Sequence, residues 1–482
     1  MTEMSSTVYS LGVEKSNEAG AVQPPGGVPQ LVPYAGGDGI KILPLTREDY
    51  RAALDVQRNT GDRHVSIEGF GGRLAERRVF RPTLEATDKW FYDRAEGHLR
   101  WIVPYACEEA FGLQLELRGL SLPAGSTVWS VDAKSNARRM PLRKADQYPG
   151  WWTPSTYGAF GWLLITVPVE MFSEGRHPEF ELHDALQIFS YEYADEALWV
   201  NLGRGERVAA QTYPRQPLSV RHESVPRSAA VDHASNAVAA CGHVRYGDSG
   251  LADRVAYSGA LVRRRNQMDS RTCLFLTANH AFTYDDCEED ADCVEYQSFE
   301  AFWDYIASRD DYFASRYSSE LRGRVPRSLG ATLLKVGSGT DFALLSLNGL
   351  PADGAPWTFL GWSLDPPGDG ARVIRLSHPR CYPQAYSEGA IGRWEKLGPD
   401  YECCESRNGE RFLGTDLRMG VDLPGSSGAP LLLPVGSGRK EDLLIVGQLW
   451  GVCKSVETGS LRSIDGRFAK TYEQIEKWLN FV

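Results

Sequence analysis

The stretch Gly425-Ser426-Ser427-Gly428-Ala429-Pro430 runs straight into the apolar segment Leu431-Leu432-Leu433, so a serine flanked by glycines opens a strand. A serine hydroxyl is a poor nucleophile at neutral pH. It needs an imidazole to take its proton and a carboxylate to hold that imidazole in one tautomer. Both are present upstream. His280 ends Leu276-Thr277-Ala278-Asn279-His280, and Asp341 opens Asp341-Phe342-Ala343-Leu344-Leu345. Each piece alone has a plain structural reading: a core histidine after a strand, a turn aspartate, a loop. Together, in the order His, Asp, Ser, they predict His280 as general base and later acid, Asp341 as its orienter and Ser427 as the nucleophile of an acyl transfer. Gly425 lets the backbone turn so that its own N–H and that of Ser427 face one point, the predicted oxyanion hole. A strand-to-helix Gly-x-Ser-x-Gly elbow does not fit, because Ala429 breaks the pattern and a strand follows.

The order His, Asp, Ser is that of the chymotrypsin type. The chain resembles the bacterial lysyl endopeptidase branch of the chymotrypsin-like serine peptidases. The likeness lies in Ser258-Gly259-Ala260-Leu261-Val262, Leu274 to His280, Thr340 to Asn348, Phe359-Leu360-Gly361-Trp362, Ser377-His378-Pro379, Pro424 to Pro430 and Val446-Gly447-Gln448-Leu449-Trp450-Gly451. It implies two antiparallel β-barrels with the triad between them, a peptide or protein substrate, no cofactor and no metal, and secretion as the typical route. Two departures stand out. Ser426 occupies the position where trypsin-like zymogens place an aspartate that pairs with a new N-terminal amine, so the oxyanion hole must be formed by another route or be formed already. Ser258 and Ala281 occupy the two half-cystine positions of the family's disulfide beside the catalytic histidine.

For the substrate pocket, the resemblance implies that Trp450-Gly451 forms a wall and offers backbone groups to an extended peptide. Val421 stands six residues before the nucleophile, where trypsin is acidic. Asp422 and Asp465 are the candidate pocket acids, with Ser463 an alternative to Asp465. A buried carboxylate favours a lysine or arginine side chain, because only a paired charge tolerates burial. The expected activity is therefore an endopeptidase with a basic preference. The rivals are a peptidase-like binding protein, its triad idle beneath the N-terminal module, and an esterase.

The 482 residues, 42% of them hydrophobic, suffice for two or three domains with cores of their own. A net charge of −11 without a basic stripe argues against nucleic acid as partner. No apolar run reaches the roughly eighteen residues of a membrane span. Met1 to Thr7 shows no basic segment leading into an apolar core, so a secretory leader is not visible there and the compartment stays open. Nine cysteines are present. Cys241 with Cys287 or Cys293 is similar to a family bridge, Cys381 lies upstream of Cys403-Cys404 across a hairpin, and buried or reduced thiols are the alternative.

Composition divides the chain into a Gly/Pro/Ser-rich tail (1–40), a β-rich N-terminal domain (41–202), a linker with Pro214, Pro217 and Pro226 (203–235) and a C-terminal region (236–482); the resemblance implies that the last is the peptidase domain and that the β-rich domain, through Trp151-Trp152-Thr153-Pro154 and Ser190-Tyr191, is similar to the propeptide region of related precursors. In the second of these, Leu113-Gln114-Leu115-Glu116-Leu117 and similar alternating stretches predict an antiparallel sandwich that could act on its own peptidase domain. Trp151-Trp152 reads either as core or as a sugar-binding face. Thr283 to Arg327 reads as a long solvated insertion. Tyr472, Ile475, Trp478, Leu479 and Val482 fall on one face of a C-terminal helix.

Overall fold

The computed structural model describes residues 40–45, 66–74, 78–80, 90–93, 97–108, 110–142, 150–188, 218–246, 252–264, 273–282, 294–307, 321–352, 357–392, 409–436, 441–454 and 461–480. The fold is mostly β, and its C-terminal part is a double barrel of chymotrypsin type.

Six strands close the first barrel. Val238–Tyr246 pairs with Ala252–Leu261, which pairs with Cys273–Ala278 and so on through Phe342–Leu347, Arg327–Gly337 and Val294–Phe302 back to the first, every pair antiparallel. The second ring runs Arg372–Ser377, Ala385–Ile391, Phe412–Met419, Leu461–Arg467, Asp442–Lys454 and Pro430–Val435, and closes on Arg372–Ser377. Closure satisfies the edge N–H and C=O groups that an open sheet would expose. The strand Phe342–Leu347 shows why these segments are read as core: Phe342, Ala343, Leu344, Leu345 and Leu347 are all buried.

The structure revises three expectations drawn from the sequence. Within the span read as a solvated insertion, Val294–Phe302 is a member of the first barrel, with Tyr296, Phe299, Ala301 and Phe302 buried. Its polar residues Gln297, Ser298 and Glu300 are also buried, which is what made the segment look solvated. The acidic stretch before it lies outside the described residues. Residues 218–235, assigned to the linker, pack on the barrels: Leu218–Ser219 pairs with Ala385 and Tyr386, and Val220, Val225, Ala230, Val231 and Ala234 join the core. Cys241 is a buried free thiol, so the bridge the resemblance suggested for it is absent. Burial raises its pKa well above the ordinary thiol value.

Upstream of the barrels, period-two alternation builds two sheets around a common core. Trp101, Val103 and Tyr105 with Leu163, Ile165 and Val167 face Leu113, Leu115 and Leu117 with Phe180 and Leu182. Trp152 is fully buried in the adjoining core, its indole N–H donating to the Tyr246 hydroxyl at 3.1 Å, so it serves packing rather than a sugar face.

These sheets join the first barrel directly. Ser66–Leu74 pairs with Glu179–Ile188 on one side and with Ala252–Leu261 on the other. Gly69 is needed there, since a Cβ would come within 2.7 Å of the Gln187 carbonyl oxygen. Beside it, the Glu68 carboxylate pairs with Arg254 and with Arg322, the latter at 2.6 Å. Arg254 also bonds Gln114 at 2.6 Å and Glu300 at 2.8 Å. Ser155 donates its hydroxyl to Glu300 at 2.6 Å, and Arg327 donates to the Ser155 carbonyl at 2.7 Å. Burial by itself would raise the Glu68 carboxyl, but Arg322 and Arg254 outweigh it and hold it below the usual carboxylate range. Glu68→Ala would leave two guanidiniums buried with fewer partners. We expect it to cost about 3–5 kcal/mol in urea unfolding, whereas a variant as stable as wild type would mean that the network does not hold the two parts together.

Candidate active site

His280 and Asp341 lie at the ends of paired strands, Cys273–Ala278 and Phe342–Leu347, whose last register pair is Ala278 with Phe342. A short 3-10 turn, Asn279–Ala281, carries the imidazole back toward the aspartate. The Asp341 carboxylate accepts the His280 backbone N–H at 2.9 Å and bonds ring Nδ1 at 2.7 Å, while its carbonyl accepts the Asn279 N–H at 3.2 Å. Asp341 adopts φ +58°, a left-handed conformation that aspartate tolerates better than most residues. With Nδ1–H committed to the carboxylate, the tautomer is fixed and Nε2 presents a lone pair. Among the described residues, neither His280 Nε2 nor the Ser427 hydroxyl has a hydrogen-bond partner.

The serine turn docks onto the same strand. Gly428 sits at φ +79°. A Cβ there would lie 2.3 Å from Thr277 Oγ1 and 2.5 Å from the Ala278 nitrogen, so only glycine lets the turn approach the segment that carries His280. All three residues of the triad reading are nearly enclosed: Ser427 is 9% exposed, His280 8% and Asp341 5%.

The backbone groups of this turn can be accounted for one by one. The Pro424 carbonyl accepts from Arg380 N–H at 2.6 Å, Ser426 carbonyl from Ala429 N–H at 3.0 Å and Ser427 carbonyl from Ser258 N–H at 2.9 Å. The Gly425 carbonyl accepts from the Ser258 hydroxyl at 2.8 Å. Ser426 N–H donates to Leu423 at 2.9 Å and Gly428 N–H to Leu449 at 2.8 Å. The N–H groups of Gly425 and Ser427 are the two that find no acceptor among the described residues. Two such donors on one turn can both reach a single oxygen atom brought by a substrate. Ser426 is fully buried and uncharged, and its hydroxyl oxygen accepts from Ser377 Oγ at 3.2 Å.

The candidate pocket residues are spread around the second barrel. Trp450 is the extra residue of a β-bulge between the pairs Leu449–Asp465 and Gly451–Ile464, and packs on Phe412, Cys453 and Ile464. Gly451 has open space where a side chain would stand. Val421 is buried. Asp422 and Asp465 converge on a residue that sequence reasoning passed over: the buried Arg375 pairs with both carboxylates. Asp422 also accepts from Ser463 Oγ at 2.6 Å, and Asp465 from Thr415 Oγ1 at 3.3 Å. Burial raises the Asp465 carboxyl, Arg375 opposes it and Asp422 adds to it, leaving it above the usual carboxylate range. A charged residue inside the run Val373-Ile374-Arg375-Leu376 was the available signal, since a cation in a buried strand demands partners. Among the described residues no cluster of His, Cys, Asp and Glu could hold a metal.

The two closed barrels give the C-terminal part a chymotrypsin-like fold. A family model described as lysyl endopeptidase, C-terminal domain, matches residues 226–461, just under half the chain. Among solved structures, the chain is similar to the inactive form of the Rv3671c protease, with 15% identity, 54% of this chain and 98% of that chain covered and a TM-score of 0.32. The active form of that protease, from M. tuberculosis, gives 15% identity, coverage of 55% and 90% and a TM-score of 0.33. No curated protein sequence matches the chain.

Two buried histidines near the site set a pH dependence. His378 stacks on Tyr305 and its Nδ1–H donates to the Tyr382 carbonyl at 3.1 Å. Burial pushes its pKa down to about 3. Burial, with Arg245 and Arg254, also pushes His243 well below the ordinary value. A histidine kept neutral in the fold takes a proton more readily when unfolded, so its contribution is complete above the unfolded value near 6.5 and is lost as pH falls. We expect urea-unfolding stability to drop between pH 6.5 and 5 by about 1.4 kcal/mol per unit for each such histidine. A flat profile over that interval would rule this out.

Proposed function

We propose that the protein is a serine endopeptidase in which Ser427 attacks the scissile carbonyl, His280 takes the hydroxyl proton and returns it to the leaving amine, and Asp341 orients the imidazole. The Gly425 and Ser427 N–H groups receive the developing oxyanion. The single observation that carries the reading is the hydrogen-bond account of the Pro424–Ala429 turn: two donors without acceptors among the described residues, in a turn whose Gly428 packs on the strand leading to a carboxylate-bound histidine.

The chemistry requires no cofactor. Attack forms the Ser427 Oγ–C bond as the carbonyl π pair moves to oxygen. Collapse expels the amine with the proton from His280 Nε2, and water repeats the sequence on the acyl-enzyme. The polypeptide substrate would lie in an extended conformation past Trp450 and Gly451, where the missing side chain gives a backbone room to approach. The upstream sheets act in this reading as a support for the first barrel.

A fluorophosphonate should label Ser427 in the full-length chain, and His280→Ala should abolish the labelling; adduct mapping by mass spectrometry reads both. Asp341→Asn should lower turnover on casein by about ten-thousandfold by favouring the wrong tautomer. An unlabelled wild-type chain would support the binding-protein reading, and labelling with turnover of esters but not of casein the esterase reading. The expected basic preference meets an obstacle, because Arg375 already occupies both candidate acids. Lysyl, arginyl and phenylalanyl anilides should therefore be cleaved within about tenfold of one another, less than one factor of a buried ion pair. A larger lysyl preference would mean that the second carboxylate reaches the substrate.

A further inference from the structure

Every peptide from Pro424 to Gly428 is pinned, and among the described residues only one pin is a side chain. Ser258, fully buried on the Ala252–Leu261 strand of the first barrel, accepts the His378 backbone N–H at 2.9 Å. Its hydroxyl donates to the Gly425 carbonyl at 2.8 Å. Its own N–H donates to the Ser427 carbonyl at 2.9 Å. A hydroxyl has one proton. With the His378 N–H on one lone pair, that proton goes to Gly425, so the bond has a fixed direction.

We propose that Ser258 is a positioning residue for the acyl transfer, holding the Gly425–Ser427 turn in the one orientation that leaves both N–H groups open. The inference rests on the reading of Ser427 as nucleophile. The turn lies in the second barrel and Ser258 in the first, so a single residue fixes the turn across the gap between them. Gly425 has φ +91° and no side chain, and it is the residue whose peptides could most easily rotate. Rotation of the Gly425–Ser426 peptide would break the Ser258 bond and the Ser426 N–H bond to Leu423 together. The peptide before it is held from the other side by Arg380, whose N–H takes the Pro424 carbonyl and so aims Gly425 N–H the opposite way in a trans unit. Arg380 keeps that N–H in place at φ +52°, a conformation uncommon outside glycine. The fully buried, uncharged Ser426 contributes no ion pair to this arrangement. The oxyanion hole is therefore formed in the uncut chain, and its formation depends on Ser258.

The test uses the full-length chain, a fluorophosphonate and p-nitrophenyl acetate. Ser258→Ala should slow labelling of Ser427 and the acylation of the ester by the same factor, about tenfold to a hundredfold, because a misaimed donor is worth at most what a lost one is. The ester's KM and the pH dependence of labelling should stay as in wild type. Ser258→Cys, of similar size with a weaker donor, should fall between the two. Ser235→Ala removes another buried hydroxyl, bonded to Gln384 at 2.5 Å rather than to the turn, and should leave both rates unchanged. The proposal is overturned if Ser258→Ala reacts like wild type, or if Ser235→Ala is slowed as much. It is overturned together with the acyl-transfer reading if the wild-type chain takes up no fluorophosphonate at all.

Discussion

A ring of six hydrogen-bonded strands has no edge, and that constraint governs where this protein can keep an unsatisfied backbone group. Both rings close. The remaining freedom lies in the turns between strands, and in the Pro424–Ala429 turn carbonyls and N–H groups are used up until, among the described residues, two nearby donors are left. The proposed oxyanion site is thus what remains when the rest of the turn's backbone has been satisfied. It is held by bonds from Ser258 and Arg380, which arrive from different barrels.

Charge is treated differently in the two halves of the molecule. Around Glu68 and Glu300, three guanidiniums and two carboxylates are interleaved with Gln114 and Ser155, and the cluster stitches sheets that are far apart in sequence. In the second barrel, one guanidinium serves two carboxylates, and the surplus negative charge raises the Asp465 carboxyl. Buried ion pairs seldom add much stability over apolar packing of the same shape, but losing one member is costly. What such clusters give is register: Glu68 can meet Arg254 and Arg322 in only one alignment of the neighbouring strands.

Much of this was legible in the sequence because the relevant signals are local. The alternation of Leu113, Leu115 and Leu117 marks a two-faced strand, and the spacing of Tyr472, Ile475 and Leu479 marks the buried face of the helix Phe468–Leu479. The glycines of the serine turn announce positive φ. The signals failed where partners come from far away. Gln297, Ser298 and Glu300 look like loop residues until Trp152, Val244, Ser155 and Arg254 are found beside them. Arg375 looks like an anomaly in an apolar strand until Asp422 and Asp465 arrive. Ser258 reads only as a small residue, since the three groups it connects lie more than a hundred residues downstream.

The Glu68 network also bears on how the protein can be inherited. Its upstream members, Glu68, Gln114 and Ser155, meet downstream members Arg254, Glu300, Arg322 and Arg327 in a buried space where each side supplies what the other lacks. A recombination event that exchanged the upstream sheets for those of a relative would bring in an interface fitted to other charges. The two parts are thereby bound to change in step, with a substitution on one side tolerated only alongside its complement on the other.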